Sequence, residues 1–355
     1  MSKRWIIISV VLIMLFGFGV KADLGFAAEK KMITIAAGRP GDVWTVLSHA
    51  LAKFINERSE MLKANVVATA GVTDNTRLIM GKKEFRETHL NVTMIPGHNV
   101  WGKGEYLPLK IGSLVHLASV WVTLDPKLKL LSDLKGKAVG LPRKVEKGYS
   151  WMFADLLAQA GVWDSVKPMH GGLKAVLTAL QDGAAQAGVL MFDYIYPHEY
   201  KLGSSLEELK ARGNLYFLQQ GNLETNINMI SKACRSKEFA ELNLPTLALV
   251  IPAKALGPTQ NEPMAVVSCP VYWSAGKEMP NEVVYEITRI IYDAAKKGDF
   301  APYHFVGKGV TPDFLTTSFW ETEKCRENYH PGAVKFYDDV KIKLKSFGEE
   351  YSKIR

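Results

Sequence analysis

The hydrophobic and polar positions switch between two periods along most of the chain. Met32 to Ala37 has the short apolar run of a strand, and Gly38-Arg39-Pro40-Gly41-Asp42 breaks it. Beyond that turn Trp44, Leu47, Leu51 and Phe54 recur at intervals of three and four, which puts them on one face of a helix reaching about Asn56. The same unit of strand, polar loop and helix returns twice. Ala64 to Ala70 predicts a strand, Gly71-Val72-Thr73-Asp74-Asn75 a loop, and the segment carrying Leu78, Ile79 and Met80 a helix capped by Thr73 or Asp74. Ala138 to Leu141 predicts a strand, Pro142 to Gly148 a loop, and Trp151 to Ala160 a helix that stops at Gly161. Further strands are expected at Leu90 to Ile95, within Ile111 to Leu124, at Ala187 to Phe192, at Leu215 to Leu218 and at Ala265 to Trp273. Helices are expected at Leu173 to Leu180, around Leu206 to Lys210 and at Glu282 to Ala295, and Pro245 to Pro263 reads as a loop where the chain passes between domains. The alternation implies an α/β fold with mainly parallel strands, whose ligand crevice lies beyond the carboxyl ends of the strands.

The N-terminus stands apart from this pattern. Lys3 and Arg4 precede the apolar run Trp5 to Val20, and the small residues Gly25 and Ala27 follow, the order of a secretory signal peptide cleaved near Ala27. The competing reading is an uncleaved signal anchor, for which the run is short. The chain has 355 residues, enough for two domains, and a formal charge of +8. Residues 1–27 hold Lys3, Arg4 and Lys21 against Asp23, so the mature chain keeps +6. A mildly basic surface helps attract an anionic solute, while no basic block or stacking motif points to nucleic acid. Cys234, Cys269 and Cys325 permit at most one disulfide, match no metal or redox spacing, and read best as buried free thiols.

The three loops hold the candidate binding residues. Gly38 and Gly41 let the backbone approach a small group, and the first turn of the helix beyond them favours an anion. Arg39 supplies charge and Trp44 a flat apolar wall. In the second loop Asn75 offers an amide and Arg77 a guanidinium, or else Asn75 serves only its turn and Arg77 faces water. The third loop carries Arg143, Lys144 and Lys147 into a helix N-terminus, with Tyr149 beside them; such a loop is either merely solvated or a carboxylate site. Counted together, Arg39, Arg77, Arg143, Lys144 and Lys147 stand against Asp42, Asp74 and Glu146, which favours a small organic anion. His98 and Trp101 either line the cleft or sit in a surface loop. No His-Glu-x-x-His, Gly-x-Ser-x-Gly or Walker loop is present, so no enzyme, metal or cofactor is expected.

The chain resembles the TAXI group of solute-binding proteins, the extracytoplasmic receptors of tripartite ATP-independent periplasmic (TRAP) transporters. The residues that carry the likeness are Gly38, Gly41 and Trp44, the Gly71 to Asn75 loop, Leu134-Lys135-Gly136-Lys137, Leu156-Leu157 to Gly161, Glu282-Val283-Val284-Tyr285 and His330-Pro331-Gly332-Ala333. The resemblance implies a periplasmic binding protein type II-like fold, two lobes joined by crossing strands with a ligand cleft between them. Residues 30–118 and 264–355 would form one lobe and 119–263 the other. It implies a periplasmic location, an organic acid or amino acid as solute, and TRAP permease membrane subunits as partners.

The ligand loops depart from the family pattern. Gly71-Val72 replaces a usual Gly-Ser, and Glu146-Lys147-Gly148-Tyr149 replaces Gly-Ser-Gly-Thr, of which Gly148 alone is kept. Gln186 stands at a usually acidic position, and the Tyr expected beyond Ile251-Pro252 is missing near Leu256-Gly257. A changed solute follows, or alternatively a periplasmic sensor-input or protein-interaction module, partnered by a periplasmic sensor domain, whose pocket is changed or lost.

Overall fold

The computed structural model describes residues 29–94, 108–144, 147–232, 247–318 and 326–346. The signal segment, His98, Trp101, Cys234 and Cys325 lie outside them. Strand β1 (Lys31–Ala36) leads through the Gly/Pro turn into helix α1 (Val43–Arg58), whose Leu47, Ala50, Leu51, Phe54 and Ile55 are buried. Strand β2 (Leu62–Val67) leads into α2 (Val72–Gly81), and the charged run after it forms a short helix, α3 (Lys83–Thr88), before β3 (His89–Met94). The long strand β4 (Leu109–Thr123) follows.

The next stretch repeats the plan. Strand β5 (Ala138–Leu141) feeds α4 (Lys147–Gln159), β6 (Lys167–His170) feeds α5 (Leu173–Gln181), and β7 (Ala187–Ile195) is trailed by β8 (Glu199–Leu202) and α6 (Ser204–Lys210). After β9 (Tyr216–Leu218) and α7 (Leu223–Ser231) come β10 (Leu247–Ile251) and the second long strand, β11 (Met264–Ala275). The chain ends in α8 (Asn281–Lys297), α9 (Pro312–Leu315), β12 (Thr317–Ser318), α10 (Pro331–Asp339) and β13 (Lys345–Ser346). Helix α8 stops at Gly298, which adopts the left-handed conformation at φ 72°.

One sheet runs through the molecule in the order β2-β1-β3-β11-β4-β7-β5-β6. The blocks β2-β1-β3 and β7-β5-β6 are each parallel, while β11 pairs antiparallel with both β3 and β4, and β4 antiparallel with β7. Helices α1 and α2 pack on the first block, α8 packs on α1 and β4 with α10 against it, α4 to α6 pack on the second block, and α7 packs on β10 and β11 and against α4. Two βα blocks joined by two crossing strands make the expected two-lobed, periplasmic binding protein type II-like architecture. The crossing strands carry no polar alternation: every residue of β11 and all of β4 after Leu109 is buried. Both faces of these strands are covered by protein, which buries the polar Lys110, Ser113, His116, Ser119 and Thr123 of β4 along with its apolar residues.

The structure departs from the sequence expectation in three places. The sheet is mixed, because β4, β8, β9, β10 and β11 all make antiparallel pairs. The stretch read as loop from Pro245 to Pro263 contains β10, paired along β11 from Leu247↔Ser268 to Ile251↔Met264, with Leu249 and Ile251 buried. Helix α4 begins at Lys147, so Lys147, Gly148 and Tyr149 belong to its first turn and not to the loop before it. Among the described residues no helix is long and apolar enough to cross a membrane.

Candidate functional site

The carboxyl ends of β1, β2, β5 and β6 open toward one cleft between the two blocks. Three helices start there without a side-chain cap on their N-cap residues: α1 at Asp42, α2 at Gly71 and α5 at Gly172. The first amides of a helix lack intrahelical partners, so each such start presents donors and partial positive charge. Gly71 holds φ 124° with ψ −175°, a backbone conformation open in practice only to glycine. The cleft narrows to a cavity of about 120 Å³. Its first-block side is built from Arg39, Asp42, Trp44, Gly71, Val72 and Met94; Leu117 of β4 lies beneath; Pro142, Tyr149, Gly172, Leu173, Val189 and Met191 face it from the second block.

Two guanidinium groups stand at these helix starts. Nη2 of Arg39 lies 3.8 Å from the point a Cβ on Gly71 would occupy, and Nη2 of Arg143 lies 2.9 Å from the same point on Gly172. Arg39, Asp42, Gly172, Leu173 and Arg143 together rim the open mouth of the cleft. A cation beside the positive end of a helix is unfavourable in isolation, and an anion between them reverses the sign of both interactions. Asp42 is the acidic side chain on the first-block side of this rim, and Lys174 and Asp182 stand on the second-block side. Oδ2 of Asp42 accepts the Arg39 backbone N–H at 3.1 Å, which closes the turn.

The candidates from the sequence are divided by the fold. Arg39, Trp44 and Tyr149 share the cavity, and Gly41 borders an adjoining groove with Trp44. Gly38 lies under the Trp44 indole, and the Nε1 of that indole is buried without a hydrogen-bond partner. The Tyr149 hydroxyl is hydrogen-bonded to Ser119 Oγ of β4, and its ring meets Phe153 edge-on at 5.3 Å, so the wall it forms is fixed. Asn75 is buried under the loop: its Nδ2 donates to the carbonyls of Ala36, Ala37 and Val92 at 2.9, 2.7 and 2.8 Å. Arg77 is exposed on α2 and pairs with Asp74 at 2.5 Å, away from the cavity. The backbone of Lys147 and Gly148 opens α4; their side chains are outside the description.

Gly171, Gly172 and Leu173 complete the cleft although the sequence reading passed over them. The signal was present: His170-Gly171-Gly172 repeats the strand-glycine-helix pattern of the other loops. It is obscured because β6 is a strand of exposed, non-alternating residues. In the groove next to the cavity, burial raises the pKa of Asp193 above the usual carboxylate range, against the lowering effect of His304 and Lys201. Cys269 is a free buried thiol whose pKa burial pushes up to about 12, which leaves it unreactive. Among the described residues no group of three or more His, Cys, Asp or Glu is placed to hold a metal ion.

No protein-family model matches the chain. In shape the chain is similar to the periplasmic aliphatic sulphonate binding protein SsuA of Escherichia coli, with a TM-score of 0.45 and 13% identity over 87% of this chain and 83% of that one. It is also similar to XAC2383 of Xanthomonas citri, solved bound to ATP, at TM-score 0.46 and 11% identity over 88% and 100%. A ligand-binding component of an ABC-type import system from Staphylococcus aureus gives 0.44 and 10% over 90% and 95%. Identities this low leave the site to be argued from its own residues.

Proposed function

We propose that the protein is an extracytoplasmic solute receptor that binds a small organic anion between its lobes and delivers it to a TRAP-type membrane permease. The observation that carries the reading is the placement of Arg39 and Arg143 over the uncapped starts of α2 and α5, one from each block, at the mouth of a single cleft. Four sources of positive potential meet there beside the Asp42 and Asp182 carboxylates, and a bound carboxylate or related oxyanion gains charge-assisted hydrogen bonds from the guanidinium groups and the helix-start amides. The division of labour follows from this. Arg39 and Arg143 hold the charge, the amides after Gly71 and Gly172 donate to it, and Trp44 and Tyr149 flank what is attached to it. Gly38 and Gly41 shape the turn that presents Arg39, and the amides of Lys147 and Gly148 add a fourth helix start.

The lobes in this reading comprise residues 30–118 with 264–355, and residues 119–263. Periplasmic release after cleavage near Ala27 follows the signal-peptide order of basic, apolar and small residues in 1–27, and a TRAP permease as recipient follows the family resemblance of the sequence. Calorimetric titration of the mature protein with carboxylates, amino acids and neutral sugars tests the anion. Binding confined to anions, and weakened at least tenfold in both Arg39→Ala and Arg143→Ala, is the expected result; tight binding of a neutral sugar undiminished in both variants overturns it.

A further inference from the structure

The interior of the cleft has a chemistry distinct from its mouth. Past Arg39 and Asp42 the described residues that face the cavity carry no charged side chain: Val72, Met94, Leu117, Val189 and Met191 are apolar, and the Tyr149 hydroxyl is already engaged by Ser119. A second carboxylate placed among them would meet no cation and few donors, and its desolvation would go uncompensated. An α-amino group fares little better. The acidic side chain lining the cavity is Asp42, and it stands at the mouth beside Arg39 and not among the apolar residues.

From this asymmetry we propose that the solute is an amphiphilic monoanion, a single carboxylate or sulfonate head on an unbranched or aryl apolar body, bound head outward and body inward. This rests on the anion reading above and narrows it to a ligand class. The head lies at the mouth between Arg39 and Arg143, where the α2 and α5 starts converge. The body lies against the Met94, Leu117, Val189 and Met191 side chains that line the cavity and along the Trp44 and Tyr149 rings. The partly exposed Met191, the buried Met94 and Leu173 at the entrance suit an apolar body of variable shape, since the unbranched thioether adapts to what it packs against. Leu173, 37% exposed at the start of α5, is the apolar side chain that an entering body passes first.

A chain-length series reads this directly. Each methylene that leaves water contributes ~0.8 kcal/mol, or about fourfold in affinity, so hexanoate is expected to bind on the order of tenfold more tightly than butanoate. Hexanesulfonate should follow hexanoate, and succinate, L-glutamate and neutral hexanol should each bind at least tenfold more weakly than hexanoate. Met191→Gln and Leu173→Gln, both at partly exposed positions, should shrink the gain from butanoate to hexanoate while leaving the thermal melting curve in place. Succinate or glutamate binding more tightly than hexanoate, with the affinity still lost in Arg39→Ala, overturns the amphiphile and leaves the anion reading standing. Hexanol binding as tightly as hexanoate, with no loss in either arginine variant, overturns both.

Discussion

The indole of Trp44 lies so close over Gly38 that a Cβ on that glycine would stand 2.4 Å from Nε1 and 3.0 Å from Cδ1. Contacts that short do not occur between real atoms, so the ring and the glycine define one another. Gly38→Ala is expected to drive the indole out of its seat and into the cavity. Its binding affinity should fall at least tenfold while the protein remains folded, and tryptophan emission should shift as Nε1 leaves its buried position. An alanine variant with wild-type affinity and emission would show that the ring has room to spare.

Asn75 ties three strand-end carbonyls together from within α2. Asn75→Ala leaves those carbonyls buried without their shared donor, and the expected loss of stability is about 1 to 3 kcal/mol. Urea unfolding measures it. A change below about 0.5 kcal/mol would mean that water replaces the amide without cost.

Arg77 faces solvent with Asp74 as its neighbour, and exposed pairs of this kind contribute ~0 to 1 kcal/mol. Arg77→Ala is therefore expected to keep both the unfolding midpoint and the affinity for the best anion within about twofold of wild type. A large loss of affinity in the calorimeter would place this guanidinium at the ligand.

Two histidines make stability depend on acid. His116 is fully buried against Ser268 Oγ at 2.8 Å and the rings of Tyr194 and Phe314, and burial, assisted by the Lys110 charge, lowers its pKa to about 3. His330 caps α10 by accepting the Gly332 N–H at 3.1 Å, and burial lowers its pKa to about 4 against the raising effect of the Met279, Gly276 and Lys277 carbonyls. Both folded values lie below the ordinary 6.5, so on acidification the unfolded chain takes up protons that the folded chain refuses. The stability from keeping these rings neutral is complete above pH 6.5 and declines from there toward pH 4, by up to about 1.4 kcal/mol per pH unit for each ring. Urea midpoints at pH 7 and pH 5 should show the decline, and His116→Gln and His330→Gln should each flatten it. A slope unchanged in both variants would assign the acid sensitivity to carboxylates instead.

Much of this architecture is legible in the pattern of residues, and the exceptions share a cause. The helix at Asn281–Lys297 stands out because its apolar period is clean and Gly298 ends it, and Ala138–Leu141 because its short apolar run lies between Lys137 and Pro142. Strand β10 is hidden by the prolines around it, since its pairing with β11 depends on contacts made 13 to 21 residues away. Asn75 resembles a ligand donor in the sequence because a polar residue after a glycine loop often is one. Its amide turns instead to three carbonyls that only the passage of β3 beside β1 brings together. Arg39 and Arg143 are visible as basic loop residues, but their seats over Gly71 and Gly172 arise from the parallel pairing of β1 with β2 and of β5 with β6, which local periodicity does not encode.

The central claim is that an anionic head sits between Arg39 and Arg143 at the starts of α2 and α5. Co-crystallisation with 6-bromohexanoate tests it most directly, because the carboxylate shows in the density and the bromine in the anomalous difference map. The account predicts the carboxylate within hydrogen-bond reach of both guanidinium groups and the bromine against Leu117, Val189 and Met191. A carboxylate lying elsewhere on the protein, or a bromine turned outward to solvent, would contradict it.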